Sequence, residues 1–564
     1  MACCATPSCF IPEVTSSLCF AVPSPCPGGS GSASGDATWR ETPDSGASLS
    51  KAATDCLRTL RIHDGEGLDT VSATNSSNDQ QGHASTSAAV VETSHQPAPL
   101  SRRGDSHASK HTPFWDTFDA MLSNPYCPET NPGGFINMGI ANNSLMSAEL
   151  LTYLRNHLDL EPIDLTYGSS LYGSTRLFRA LCHHLNSAEF NPVHAVEPRH
   201  ILTGPGAGPM LDQIAEHIAD PGEGFLSPEH IADPGEGFLC AAPYYNGFDA
   251  DFATRSQVRC VPVFSPDGDG TEPSSFAGPS ALRGFASAYS SSQASGVPIR
   301  AVVVCNPHNP VGRCYDRAAL VHYGRFAAER GLHLIFDEIY ALSVFPTDDD
   351  AEPQRFISAL AIDWQNEAGL HPGSVHIITS ASKDWGMNGL RIGMLVSQHN
   401  PRLISAMKST GKLYMVSSAA DALFSHLLLD ESFYKPFIAL NRARLSWAYA
   451  LARAWCRHHA IGYVASNAGH FVLIDLSPHL AVAAAGGRTE HEAEALLWRR
   501  ILERQVCLTP ASNYHHPTPG VFRMTFSLKR DEMLEGLARL EDALGLEHWT
   551  PPPPPSSPFV QQHK

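Results

Sequence analysis

Ser380-Ala381-Ser382-Lys383-Asp384-Trp385-Gly386-Met387-Asn388-Gly389-Leu390-Arg391-Ile392-Gly393 places a lysine just after two serines and eight residues before an arginine, in a glycine-rich setting. A lysine amine is a poor nucleophile while protonated. Small hydroxyl residues and a cationic Arg391 beside it lower its pKa and supply anchors for a phosphorylated aldehyde. The stretch therefore reads as a Schiff-base lysine with a phosphate clamp, a combination that suits pyridoxal phosphate. The competing reading is an ordinary loop with one lysine and one arginine, and the rest of the chain decides between them.

Apolar runs flank the stretch, at Val375 to Thr379 before it and Ile392 to Ser397 after it. Upstream, short apolar runs alternate with helical patterns: Ile201-Leu202-Thr203, Met210 to Ile218, Ile299 to Cys305, Leu320 to Ala328 and Leu332 to Phe336. This is the rhythm of crossover-connected strands, and it predicts an α/β fold whose large domain holds a mostly parallel sheet flanked by helices. After Ser417 the pattern is helix-rich, with strands near Phe471 to Asp475 and Phe522 to Phe526, which predicts a smaller α+β C-terminal domain. Phe114, Trp115, Phe118 and Met121 recur at helical spacing and open the folded part. The expected organisation is a disordered low-complexity tail over 1–111, an N-terminal arm and large domain over 112–415, a small domain over 416–549 and a Pro-rich tail over 550–564.

Composition removes several function classes. The 564 residues carry a net charge of −18, which disfavours nucleic acid as a partner because such binding needs a basic surface to displace counterions. Hydrophobic content is 43% with no uninterrupted apolar run long enough to span a bilayer, so a membrane span is excluded and a membrane is not expected as a partner. Of 14 cysteines, six precede residue 57 and the others are scattered singly, which implies no disulfide framework. The histidine pairs His183-His184, His458-His459 and His515-His516 lack metal-site spacing. Met1-Ala2-Cys3-Cys4 has no early basic region, so a secretory signal is not expected and a cytoplasmic location is. Glu216 to Leu226 recurs without change as Glu229 to Leu239, thirteen residues later; one copy suffices for the fold, and the surplus is expected to loop out or stack as an extra strand.

Other motifs stand at the ends of the expected strands, where ligands of open α/β sheets collect. Asn309-Pro310 follows the strand that ends at Cys305. Asp337, in Phe336-Asp337-Glu338-Ile339-Tyr340, is a carboxylate at the mouth of an apolar strand and needs a cationic partner, which a protonated pyridine nitrogen would be. Tyr340 can then reach the ring's phenolic oxygen. Gly204-Pro205-Gly206-Ala207-Gly208 precedes a helix, and such a turn gathers N–H groups and the positive dipole end against a phosphate. Pro243-Tyr244-Tyr245 offers an aromatic face for stacking. Arg523 stands inside the apolar strand Phe522-Arg523-Met524, and a buried guanidinium calls for a carboxylate such as that of an amino-acid substrate.

In this order the elements resemble fold-type I pyridoxal-phosphate aminotransferases, specifically the 1-aminocyclopropane-1-carboxylate synthase-like branch, over roughly residues 112 to 548. The resemblance implies an aspartate-aminotransferase-like fold, pyridoxal 5'-phosphate as cofactor and an α-amino acid as substrate. It implies that Lys383 forms the Schiff base, Asp337 pairs with the pyridine nitrogen, Tyr340 and Asn309 contact the ring oxygen, and Tyr245 stacks on the ring. Ser380, Ser382, Arg391, Ala207 and Gly208 would hold the phosphate, Arg523 would bind the substrate carboxylate, and Ala141 would lie against the substrate. Lys383 and Tyr340 would be the catalytic pair. Tyr172, in Leu171-Tyr172-Gly173, would reach the phosphate of a neighbouring subunit, which implies a homodimer with shared sites. Two positions depart from the family pattern: Ala207 replaces a hydroxyl residue, and Gly139-Ile140-Ala141-Asn142-Asn143 carries an amide where the family has a glutamate. An amide cannot act as a base. Transamination therefore ranks ahead of carbon–sulfur cleavage or cyclopropane formation, with a catalytically degenerate homologue kept for binding as the remaining alternative.

Overall fold

The computed structural model describes residues 100–109, 113–220, 235–349, 353–480 and 488–553. In chain order the strands are β1 (Ile136–Asn137), β2 (Ile201–Gly204), β3 (Gly237–Ala241), β4 (Arg259–Val263), β5 (Ile299–Cys305), β6 (His333–Asp337) and β7 (Val375–Ser380). They continue as β8 (Gly393–Val396), β9 (Gly462–Tyr463), β10 (Phe471–Asp475), β11 (Val506–Cys507), β12 (Thr509–Pro510) and β13 (Val521–Thr525).

Seven strands form one sheet in the order β2-β8-β7-β6-β5-β3-β4. The pairs β3–β4, β3–β5, β5–β6 and β6–β7 are parallel, whereas β8 is antiparallel to both β7 and β2. Apolar runs form these strands because both faces of the sheet are covered. Along β5, Val302 and Val304 join one core with Leu320, Tyr323 and Ala327 of the helix Arg317–Arg330. Ala301, Val303 and Cys305 join the other, with Met210, Leu211 and Ile214 of the helix Ala207–Ile218. The fold is thus an α/β layer structure with a mostly parallel sheet flanked by helices, as the apolar rhythm predicts. The reversal of β8 goes with the segment before it: residues 381–392 hold only the short turn Asn388–Leu390 and no crossover helix, and the chain turns back as an antiparallel neighbour. That turn keeps Lys383 at the edge where β5 and β6 also end.

A second sheet, antiparallel in the order β12-β13-β10-β9, follows in the C-terminal part with the helices Glu431–His458, Glu490–Glu503 and Arg530–Leu544. Near the N-terminus β1 pairs in parallel with β11. The residues after β1 run between the two sheets: Met138 O accepts from Thr525 N at 2.8 Å, and Ser144 N donates to Ser527 O at 3.0 Å.

Several expectations meet a different outcome. Inside the stretch expected as tail, Arg102–Ser109 is helical with no buried residue; the remainder of 1–111 other than 100 and 101, with its Cys3-Cys4 segment, lies outside the described residues, as does the Pro-rich tail from 554. Strands β3 and β4 carry no clear strand signal, since Gly237 and Pro262 interrupt them; β4 is an edge strand, where proline's missing N–H is tolerated. Both copies of the duplication are used: Glu216–Ile218 ends a helix and Gly237–Leu239 begins β3. Asp220 N donates to Glu236 Oε2 at 2.6 Å, so the ends of the surplus segment meet. Residues 221–234, between the two used pieces, lie outside the described residues.

Candidate active site

Lys383 and Asp337 face one another across the edge formed by the ends of β6 and β7. Asp337 is buried at the last residue of β6; Ile339 N donates to Oδ1 at 3.2 Å, and Cys305 Sγ is 3.9 Å from Oδ2. Burial pushes its pKa up to about 6, opposed by the Ile339 N–H, the Cys305 thiol and the charge of Lys383. Lys383 Nζ donates to Ala141 O at 2.8 Å. Burial first, then the cations Arg523 and Arg391, bring its pKa down to about 7, with Asp337 opposing. A substantial neutral fraction at neutral pH makes this amine a competent nucleophile.

The phosphate-type residues gather beside it. Ser380 and Gly204 both pair with Gly393, so one row crosses β7, β8 and β2. Gly206 caps the helix Ala207–Ile218 with φ 113°, and a Cβ there would stand 2.2 Å from Arg391 Nη2. A Cβ on Gly393 would stand 2.3 Å from Gly206 C. Only glycines allow this approach of backbone, helix N-terminus and guanidinium. Arg391 turns back with φ 54°, its Nη1 donating to Asn388 O at 3.0 Å. Ser382 N donates to Ser380 Oγ at 3.1 Å, Ala207 and Gly208 open the helix, and Gly208 abuts Asp251.

Arg523 closes the other end. It sits mid-strand in β13, opposite Leu473 of β10 and Thr509 of β12. Its guanidinium lies 4.6 Å from the Tyr514 ring centroid and 4.9 Å from that of Phe471, and Nη1 donates to Asn309 Oδ1 at 2.8 Å while Nη2 donates to Gly139 O. Nε is buried without a partner. Among the described residues no carboxylate pairs with Arg523, although the group is 4% exposed. Tyr340 is buried between the groups, its ring edge-on to Phe471 at 5.4 Å. Tyr245 is half-buried and close enough to Asp337 and Arg523 to feel both charges.

The structure thus brings together Lys383, Asp337, Tyr340, Tyr245, Asn309, Ala141 and Arg523, with Ser380, Ser382, Arg391, Ala207 and Gly208 at the phosphate-type end. Three residues are engaged differently from what the sequence suggests. Asn309 is turned toward Arg523. Tyr172 Oη donates to Lys408 O of its own chain at 2.8 Å, under the Lys408 ammonium. Asn142 Oδ1 accepts from Asn388 Nδ2 at 2.8 Å, so the amide is pinned. Phe471, Tyr514, Ser343, Asp384 and His470 escape a reading of the sequence, although Asp384 directly follows the lysine.

The residues fit pyridoxal phosphate by their own chemistry: a depressed amine, a buried carboxylate lacking a cation in contact, a glycine cradle at a helix N-terminus, and a guanidinium beside it. Among the described residues no group of three or more His, Cys, Asp or Glu could hold a metal ion.

Comparison with known proteins identifies the family and the fold. The chain is 30% identical over 415 residues to the probable aminotransferase tcpI of Claviceps purpurea, covering 72% of this chain and 89% of that one. It is 29% identical over 434 residues to 1-aminocyclopropane-1-carboxylate synthase 6 of Arabidopsis thaliana, covering 75% and 80%. Among solved structures, an aspartate aminotransferase of Thermus thermophilus shares the fold with a TM-score of 0.57 at 18% identity, covering 79% of this chain and all of that one. The profile of the family described as aminotransferase class I and II matches residues 135–540. The chain therefore belongs to the class I and II aminotransferase family of pyridoxal-phosphate-dependent enzymes.

Proposed function

We propose that this chain is an aminotransferase acting on an α-amino acid, with Lys383 as its catalytic amine and general base. The observation that carries the reading is Arg523, a buried guanidinium with no carboxylate partner among the described residues, placed beyond Lys383 from the phosphate-type cradle. A substrate carboxylate would complete its fork in bidentate geometry. When bound, pyridoxal phosphate supplies an aldehyde that captures the substrate amine and a ring that accepts the electron pair left by the departing α-proton. The chain's own residues do the rest. Asp337 would pair with the ring nitrogen, Tyr340 and Asn309 would serve the ring oxygen, and Tyr245 would stack on the ring. Ser380, Ser382, Arg391 and the N–H groups of Ala207 and Gly208 would hold the phosphate. Lys383, held near neutrality, would take the proton from the substrate α-carbon and, as the conjugate ammonium, deliver it to the carbon on the other side of the substrate nitrogen.

Asn142 supports transamination over cyclopropane formation: pinned to Asn388, it supplies no base where a relative with a glutamate has one. The test is the product. Purified protein incubated with pyridoxal phosphate, a panel of amino acids and S-adenosylmethionine should yield 2-oxo acids and convert an added 2-oxo acid to its amino acid. Cyclopropane or thiol release instead would assign the lyase branch, and the absence of any cofactor absorbance band would mark a degenerate homologue.

The cradle gives a second expected result. In Gly206→Ala the added Cβ meets Arg391 at a backbone conformation that disfavours side chains. Losing one charge-assisted hydrogen bond should weaken cofactor affinity roughly 10- to 100-fold, read by titrating the cofactor band. A homodimer is also proposed: Leu165, Tyr167 and Leu413 are 84%, 76% and 68% exposed, and Leu413 follows the turn on which Tyr172 rests. Sedimentation should give twice the chain mass.

A further inference from the structure

Asp384, the residue after Lys383, begins a buried polar chain that the proposed reaction does not use. Asp384 accepts from Leu342 N through Oδ2 at 2.9 Å and from Ser343 Oγ through Oδ1 at 2.6 Å. Ser343 Oγ stands 3.1 Å from His470 Nε2. His470 is fully buried just before β10, with its ring edge-on to Tyr340 at 5.2 Å and 85°. Its Nδ1 is buried and unbonded. The Ala141 backbone lies near enough to the ring to raise its proton affinity, although no hydrogen bond to Nδ1 is formed. Lys383 holds the carbonyl of that same residue.

A hydroxyl has one proton to give, so Ser343 cannot donate to Asp384 and to His470 together. With Asp384 ionised, Ser343 donates to it, His470 must carry its proton on Nε2, and Nδ1 presents a lone pair. With one proton added, Asp384 donates to Ser343, Ser343 donates to Nε2, and the proton of His470 resides on Nδ1, facing the Ala141 carbonyl. The two arrangements differ by the single proton on Asp384. We propose that Asp384, Ser343 and His470 form a relay that passes the charge state of Asp384 to the Lys383 amine, with His470 as a positioning residue. Burial brings Asp384 up to about 7, the same region as Lys383, while His470 is pushed down to about 3 and stays neutral. Arg442 faces Asp384, and Arg523 with Lys383 faces His470; all three cations oppose a charged imidazole or favour an ionised Asp384.

The inference rests on Lys383 as the functional amine, but its test does not need the cofactor. Asp384→Asn locks one arrangement: Leu342 N requires an acceptor, so the amide oxygen must face it and the NH₂ must face Ser343 Oγ. Nδ1 then keeps its proton and competes with Lys383 for the Ala141 carbonyl. The acylation rate of Lys383 in apoprotein, followed against pH by mass spectrometry, should show its pKa lowered by about one unit in Asp384→Asn. In the His470→Leu background, and separately in Ser343→Ala, the same substitution should shift nothing, because the relay is cut. A shift that persists undiminished in both backgrounds, or no shift in Asp384→Asn itself, overturns the relay. Thermal unfolding of each variant confirms that a folded protein is being compared. Borohydride reduction of the wild-type protein with pyridoxal phosphate, followed by peptide mapping, reports on Lys383 as the cofactor lysine independently of these outcomes.

Discussion

Lys383→Ala is expected to lower kcat by roughly 10,000-fold, because one substitution removes the residue proposed as both nucleophile and general base. The same variant should lose the cofactor absorbance band while keeping its fold. The pH dependence carries the sign. An unperturbed lysine would be neutral in about one molecule in 3,000 at pH 7, whereas burial with Arg523 and Arg391 places this amine near 7. The reactive form is the deprotonated one, so the wild-type rate should rise with pH through about 7 and flatten above it. A rise that continues to pH 10 would show that Lys383 is an ordinary surface-like amine and would remove it from the mechanism.

Arg523→Ala should reduce kcat/KM by roughly 100- to 1,000-fold, the loss expected when one partner of a buried, hydrogen-bonded charge pair is truncated. The loss should appear mainly in KM. Arg523→Lys should recover little of it, since an ammonium cannot reproduce the planar fork held between Tyr514 and Phe471. The decisive control is an amine lacking the α-carboxylate: its weak reaction should be unchanged by either substitution. Equal losses for both substrates would mean that Arg523 supports the site through Asn309 and Gly139 and does not read the carboxylate.

Much of the seven-stranded sheet is legible from the chain because β5, β7 and β8 are covered on both faces and read as apolar runs. Lys383 and Asp337 are legible for a related reason: each is an ionisable residue at the end of such a run, where burial makes an unpaired charge conspicuous; Arg391, which is exposed, is legible from its spacing to Lys383. β3 and β4 are not, since a glycine, a proline and a duplicated segment blur their pattern. The partners of Asn309, Tyr172 and Asn142 depend on contacts with Arg523, Lys408 and Asn388 that local spacing cannot foretell. His470 is the sharpest case: it follows Gly469 as an unremarkable polar residue before a strand, and only the approach of the second sheet puts it beside Tyr340.

The segment that runs between the two sheets from Met138 to Ser144 also sets the order in which this protein can be made. Ala141, which holds Lys383, is synthesised 242 residues before it, and Gly139 precedes its partner Arg523 by 384. During translation these carbonyls must wait while nearly the whole chain emerges, and contacts of such long range form slowly. The grip on a substrate proposed for Arg523 would therefore be among the last properties the polypeptide acquires, and a ribosome halted before β13 leaves a chain that lacks that residue.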